Sequence, residues 1–230
     1  MLTAEQYAKV FDYAILKQNT QEAEIRSGCE IAKKYKFAAM YTTPCWAHIT
    51  AKELRGTGVH SGVGISFPYG TSYSKAKFLE IEESLKLGCT AIDLVTNIGA
   101  LKDKNYALVK SEVKELVAMC GTQALSKVIY EVCFLTDEEI GILTDICCEL
   151  GVDYVKTSTG TEGFPDIAQI KIMKQHLTGT KTMLKVSGVP RTFTLPATLA
   201  MIDMDVKLIG TRSAPALVDQ YKEYLAAKGK

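Results

Sequence analysis

Thr136-Asp137-Glu138-Glu139-Ile140-Gly141-Ile142-Leu143-Thr144-Asp145-Ile146-Cys147-Cys148-Glu149-Leu150-Gly151-Val152-Asp153-Tyr154-Val155-Lys156-Thr157 contains one complete helix followed by one strand. Thr136 and Glu139 form a capping-box pair, in which each side chain satisfies the other's free backbone N–H. Ile140, Leu143 and Cys147 fall on one helical face, and Gly151 stands just past the end, where helices stop. Residues 153–157 are then short and largely apolar, as a buried strand requires, with one lysine interrupting them.

The same unit recurs in both directions. Short apolar runs at 11–15, 38–42, 59–65, 91–95, 127–132, 153–157, 183–186 and 206–209 read as strands. Longer amphipathic stretches between them, such as 73–87, 104–119, 137–150 and 195–202, read as helices. Strand starts are separated by roughly 20 to 35 residues, the length of a βα unit. Eight such units close most economically into an α/β fold, the (β/α)8 TIM barrel, because closure leaves no strand edge unpaired. An open doubly wound sheet is the competing arrangement, but no Gly-x-Gly-x-x-Gly follows the first strand, so a dinucleotide site has no basis. With no linker or low-complexity segment in view, residues 1–230 are expected to form a single barrel domain.

Composition narrows the function. The chain is 47% hydrophobic and 23% charged, with a formal net charge of +1. That balance offers no electrostatic case for nucleic acid or a membrane surface, so any anionic ligand must be held by a local site. The first residues lack the basic start and apolar run of a secretory signal, and nothing approaches the roughly 18 apolar residues of a spanning helix. Seven cysteines without Cys-x-x-Cys spacing suit free thiols in a reducing cytoplasm. His48, His60 and His176 are scattered, so no metal is expected, and no cofactor.

Barrel chemistry collects at the C-terminal ends of the strands. Those ends carry Asp12, Asp93, Asn97, Glu131, Lys156, Lys185 and the turn Gly210-Thr211-Arg212-Ser213. Lys156 and Lys185 are the anomalies, because each interrupts a strand that otherwise reads as buried. On neighbouring strands about 4.8 Å apart, their ammonium groups would stand on the order of 6 Å from each other. At an effective dielectric of about 20 the repulsion is roughly 3 kcal/mol, or about two pKa units. An amine so destabilised as a cation is neutral near pH 7 and can attack a carbonyl. The plainer reading pairs one lysine with a carboxylate and lets the other snorkel to solvent. Pattern alone leaves both readings standing.

The segments around these residues resemble the deoxyribose-phosphate aldolases. Val155-Lys156-Thr157-Ser158-Thr159-Gly160 resembles that family's Schiff-base lysine signature, and Lys185-Val186-Ser187-Gly188 with Arg191-Thr192 its second-lysine segment. Ala91-Ile92-Asp93-Leu94-Val95-Thr96-Asn97-Ile98-Gly99-Ala100-Leu101 resembles its catalytic-aspartate strand. Phe11-Asp12, Leu16-Lys17, Ser66-Phe67-Pro68-Tyr69-Gly70, Lys127-Val128-Ile129 and Ile209-Gly210-Thr211 follow in matching order over nearly the whole chain.

The resemblance implies a class I aldolase that reversibly cleaves 2-deoxy-D-ribose 5-phosphate to acetaldehyde and D-glyceraldehyde 3-phosphate. It implies Lys156 as the imine-forming residue, with Lys185 and Asp93 moving protons. Lys127 and Glu131 are expected to extend a polar network inside the barrel, or to form a structural ion pair. Asp12, Lys127, Thr159, Gly160, Gly188, Gly210, Arg212 and Ser213 are expected to contact substrate. The glycine-containing turns would offer backbone N–H groups to phosphate. The implied partners are sugar phosphates and aldehydes, and a homodimer is the common assembly of such barrels.

Departures from the family pattern cluster where substrate would sit. Val189-Pro190 follows Gly188 where a second glycine and an aliphatic residue are usual, and Arg212-Ser213 replaces two serines. Proline has no N–H to donate, whereas an arginine can bind phosphate or carboxylate bidentately. Tyr13-Ala14 replaces a histidine and threonine, and Tyr41 stands where a cysteine is expected, with Cys45 a short way on. The alternatives are therefore the same Schiff-base chemistry on another phosphorylated or carboxylated sugar, or a barrel that only binds a sugar phosphate.

Overall fold

The computed structural model describes residues 1–188 and 193–229. Eight parallel strands close into a barrel in sequence order: β1 Phe11–Ala14, β2 Ala39–Thr42, β3 His60–Ile65, β4 Ala91–Val95, β5 Leu125–Ile129, β6 Tyr154–Lys156, β7 Met183–Ser187 and β8 Leu208–Gly210. Strand β8 pairs back onto β1 through Phe11 with Ile209 and Asp12 with Gly210. The expected (β/α)8 barrel is what the chain forms.

Each strand alternates between two environments, as a pleat demands. Outward residues such as Phe11, Ile92, Leu94, Val128, Val155, Leu184, Val186 and Ile209 join one large apolar layer beneath the helices. The apolar content of the barrel interior is small by comparison, centred on Ala39, Tyr41 and Ala91. Asp93, two residues on from Ala91, therefore faces the barrel axis, and in the same way Lys156 and Lys185 project opposite to Val155 and Val186. Burial of the outer layer holds the fold together, while the inner layer is free to be polar.

Helices α2 (Glu22–Tyr35), α3 (Ala47–Leu54), α4 (Ser74–Leu87), α6 (Tyr106–Cys120), α7 (Asp137–Glu149), α8 (Ile167–His176), α9 (Leu195–Asp203) and α10 (Ala214–Ala227) surround the barrel, with the short α1 (Ala4–Ala8) and α5 (Ile98–Lys102). The capping box at the start of α7 is complete, with Thr136 N–H donating to Glu139 at 2.8 Å and Glu139 N–H to Thr136 Oγ1 at 3.2 Å. Helix α1 was not visible as a periodicity, being a single turn. It is tied to α10 by Tyr7 stacked on Tyr221, with ring centroids 4.1 Å apart.

Three expected boundaries move for local reasons. Helix α6 begins at Tyr106 rather than at 104, because Lys104 is left-handed at φ 57° and Asn105 caps the helix by accepting from Leu108 N–H. Strand β5 spans Leu125–Ile129 rather than 127–132, since Glu131 turns left-handed at φ 56° and Val132–Phe134 forms a 3-10 turn. Strand β8 starts two residues later than 206, after left-handed Asp205. All seven cysteines are free. Among the described residues no helix is long and apolar enough to cross a membrane.

Thr136→Ala removes the acceptor for Glu139 N–H at an exposed helix start. It is expected to lower stability by about 1 kcal/mol, read from the urea midpoint, with the linear slope unchanged.

Candidate active site

At the C-terminal end of the barrel axis three lysines and two aspartates share one buried cluster. Register makes this possible, because Lys156 pairs directly with Lys185 across β6 and β7, and Asp93 with Lys127 across β4 and β5. Lys185 Nζ lies 2.6 Å from Asp12 Oδ2 and 2.9 Å from Asp93 Oδ2. Lys156 Nζ lies 3.0 Å from that same Asp93 oxygen, and Lys127 Nζ 3.0 Å from Asp12 Oδ2. Lys127 reaches Asp12 from the opposite side of the ring, four strands away. The two amines of Lys156 and Lys185 thus share one oxygen, which brings them within the ~6 Å expected from strand spacing.

With every group ionised the cluster carries one positive charge more than negative. In a buried setting the least supported ammonium gives up its proton. Lys185 touches both aspartates; burial acts to lower its pKa, yet Asp12 and Asp93 together raise it. Lys156 touches only Asp93, and burial followed by the charge on Lys185 brings it down to about 8. Lys127 is also lowered, chiefly by burial. For Asp93 burial acts to raise the pKa, but Lys185, Lys156 and Lys127 hold it well below the usual carboxylate range. The structure amends both expectations for the lysine pair. Neither lysine snorkels, as both are paired and at most 6% exposed. Crowding by Lys185 is real, but desolvation is the larger cause of the depressed amine.

Two residues without side chains make room for this arrangement. A Cβ on Gly62, opposite Tyr41 in the β2–β3 register, would sit 2.6 Å from the Tyr41 ring. A Cβ on Gly210 would sit 3.0 Å from Ser187 Cβ and 3.4 Å from Lys185 Cε. The Tyr41 ring faces all three ammonium groups, with its centroid 4.0 Å from Lys185 Nζ, 5.2 Å from Lys127 Nζ and 5.8 Å from Lys156 Nζ. The Tyr154 ring also faces Lys127 Nζ, with its centroid 4.8 Å away.

Above the cluster opens a cavity of about 1100 Å³. Asp12, Lys156 and Lys185 form its floor, and Thr159, Gly160, Gly188, Gly210 and Arg212 line one wall. Trp46, Phe67 and Tyr69 line another part, with Lys17 at the edge. Gly160 is left-handed at φ 87°, and a Cβ there would come within 3.0 Å of the Gly188 carbonyl oxygen, so two backbone turns approach closely. Ser213 stands outside the lining, immediately before α10, with its N–H donating to Thr211 Oγ1 at 3.1 Å. Val189, Pro190, Arg191 and Thr192 fall outside the described residues.

Other expected residues take different places. Lys127 lies beneath the floor, 1% exposed, with its ammonium on Asp12 rather than turned toward a ligand. Its pairing with Glu131 does not form. Glu131 instead accepts from the Thr159 N–H at 3.1 Å and from the Thr159 hydroxyl, and burial raises its pKa. Asn97 caps α5 by accepting from Ala100 N–H at 3.1 Å. In the sequence Tyr41 stands out only as a departure from the family pattern, Phe67 and Tyr69 only as part of a matching segment, and Tyr154 and Trp46 not at all. Tyr154 had a signal, since it lies two residues before Lys156 and so shares its inward face. Trp46 ends a short 3-10 turn and Tyr69 lies in a turn after β3, where no period marks them.

A buried, depressed amine paired with an aspartate, at the C-terminal mouth of a barrel, is the equipment of an enzyme that captures carbonyl compounds covalently. The chain belongs to the DeoC/LacD family of aldolases, whose model matches residues 7–205. It is 36% identical over 215 residues to a deoxyribose-phosphate aldolase of Clostridium tetani, covering 93% of this chain and 98% of that one. It is 39% identical over 186 residues to the Bacillus subtilis deoxyribose-phosphate aldolase, covering 80% and 83%. Among solved structures it superposes on the tetrameric deoxyribose phosphate aldolase of Aeropyrum pernix with a TM-score of 0.86 and 25% identity, covering 96% of this chain and 92% of that one. The protein is thus a class I aldolase, a carbon–carbon lyase.

Removing one member of the cluster tests its charge logic. Asp12→Ala strands two buried lysines and is expected to cost about 3–5 kcal/mol, whereas Asp12→Asn, which keeps an acceptor, should cost less. Urea unfolding of the two variants at neutral pH measures the difference.

Proposed function

We propose that the protein reversibly cleaves 2-deoxy-D-ribose 5-phosphate to acetaldehyde and D-glyceraldehyde 3-phosphate, with Lys156 as the imine-forming residue. The observation that carries this reading is the Lys156 amine, with its pKa brought down to about 8, 3.0 Å from Asp93 on the cavity floor. The neutral amine adds to the C1 aldehyde of the open-chain sugar, and the carbinolamine loses water to give an iminium. That cation occupies the place of the Lys156 ammonium, so Asp93 stabilises it without rearrangement. The C3 hydroxyl then gives up its proton as the C2–C3 bond breaks. The bonding pair flows into the iminium, leaving an enamine on Lys156 and releasing glyceraldehyde 3-phosphate. Protonation of the enamine at C2 and addition of water free acetaldehyde and the amine.

Lys185 serves these steps as the proton carrier. It is held as an ammonium by Asp12 and Asp93, and it can donate to the departing hydroxyl and exchange protons with the C3 oxygen. Asp12 and Lys127 act beneath it as charge partners. The phosphate is assigned to the wall formed by Thr159, Gly160, Gly188, Gly210 and Arg212, with Ser213 at the start of α10, where backbone N–H groups and a guanidinium favour an anion.

Arg212 and the cavity size support a second reading, in which the same imine chemistry acts on another phosphorylated or carboxylated sugar. A volume of about 1100 Å³ is generous for a five-carbon phosphate. A cytoplasmic setting, suited to the free thiols, and a homodimer complete the proposal; sedimentation measures the latter.

Borohydride reduction with acetaldehyde or deoxyribose phosphate tests the chemistry. Label should appear on Lys156 by mass and vanish in Lys156→Ala, while a purely binding barrel acquires none. Lys185→Met is expected to lower kcat by about 10²–10⁴-fold. Because a lowered lysine pKa means that protons are lost as pH rises toward 8, log kcat/KM should climb with unit slope below about 8 and level off just above it, before any fall at more alkaline pH. Arg212→Ser separates the substrates: improved cleavage of deoxyribose phosphate in that variant favours the second reading, and weakened cleavage the first.

A further inference from the structure

Among the described residues, Tyr41 is the aromatic side chain whose ring faces every lysine of the cluster. It is 2% exposed, and its face lies closest to Lys185, at 4.0 Å, against 5.2 Å for Lys127 and 5.8 Å for Lys156. An aromatic face attracts a cation, more so when water is excluded, and the attraction falls away with distance. Gly62 is shaped to the ring, since any Cβ there would overlap it at 2.6 Å. The buried hydroxyl interacts electrostatically with Asp93, although Tyr41 Oη and Asp93 Oδ1 form no close hydrogen bond. The ring makes its own contacts with the lysines, separate from that hydroxyl.

We propose that Tyr41 is a positioning residue whose ring keeps the proton on Lys185, so that the neighbouring Lys156 is the amine left free to react. This rests on the imine reading given above. The active form needs Lys156 neutral and Lys185 charged, so activity should rise as Lys156 loses its proton and fall at higher pH as Lys185 loses its own. Cation–π support acts on the second loss. The remaining groups that face Lys185 and Lys156 are Asp12 from β1, Asp93 from β4, Lys127 from β5 with Glu131 beyond it, and Tyr154 from β6. Strand β3 brings only His60 at its far start, and β8 brings Gly210. None of these places another aromatic face on Lys185 among the described residues.

The test is the pH profile of kcat/KM between about pH 6 and 11 for the parent, Tyr41→Phe and Tyr41→Leu, with borohydride labelling run on a separate sample of the parent. Tyr41→Leu should move the alkaline limb down by ~0.5–1 pH unit and leave the limb near 8 where it was. Tyr41→Phe, which keeps the ring, should follow the parent on both limbs. Mere loosening of the packing would instead admit water and raise the acid limb. The proposal is overturned by an unmoved alkaline limb in Tyr41→Leu, or by an equal displacement in Tyr41→Phe. Should Tyr41→Leu not fold, Tyr41→Met makes the same comparison. A parent that takes no label on Lys156 overturns the imine reading and this inference together; a labelled parent with an unmoved limb overturns this inference alone.

Discussion

Among the described residues, three amines inside a closed ring of strands share ion pairs with two aspartates, and this imbalance governs the cluster. Burial forbids a surplus charge unless it is paired, and the pairing is unequal. Asp12 serves Lys127 and Lys185, while Asp93 serves Lys185 and Lys156. Lys185 sits between both anions and stays charged. Lys156, at the cavity floor with one shared oxygen, has its amine brought down to about 8. The lowered pKa of Lys156 is thus set by the whole cluster.

The scaffold supplies what such a cluster needs. Parallel register places Lys156 level with Lys185 and Asp93 level with Lys127, so ion pairs form across neighbouring strands and across the ring. The outward layer of aliphatic side chains contributes the burial that offsets a polar interior. Glycines at 62 and 210 give up packing inside the barrel so that Tyr41 and Lys185 fit. Above them, Glu131 ties the loop carrying Thr159 to the end of β5.

Much of this was legible in the chain. The alternation of short apolar runs with amphipathic stretches reads as βα units, because strand and helix periods leave different marks on local sequence. The Thr136–Glu139 cap is visible because both partners lie within one turn. Lys156, Lys185 and Asp93 stand out as charges inside buried strands. Boundaries set by single left-handed residues, Lys104, Glu131 and Asp205, were not legible, since no side-chain pattern announces a positive φ at a residue that is not glycine.

By itself, the sequence determined that eight strands would form, that charged residues would lie on the inner face of several of them, and that the lysine segments match an aldolase family. These are local facts, carried by spacing of two and of 3.6 residues. Only the tertiary structure decided which charges pair. Asp12 and Lys127 are 115 positions apart yet in contact, Glu131 turned to Thr159 instead of Lys127, and Tyr41 became the common face of three cations. Such partners are chosen by ring closure and strand register, which bring together residues that no local period relates.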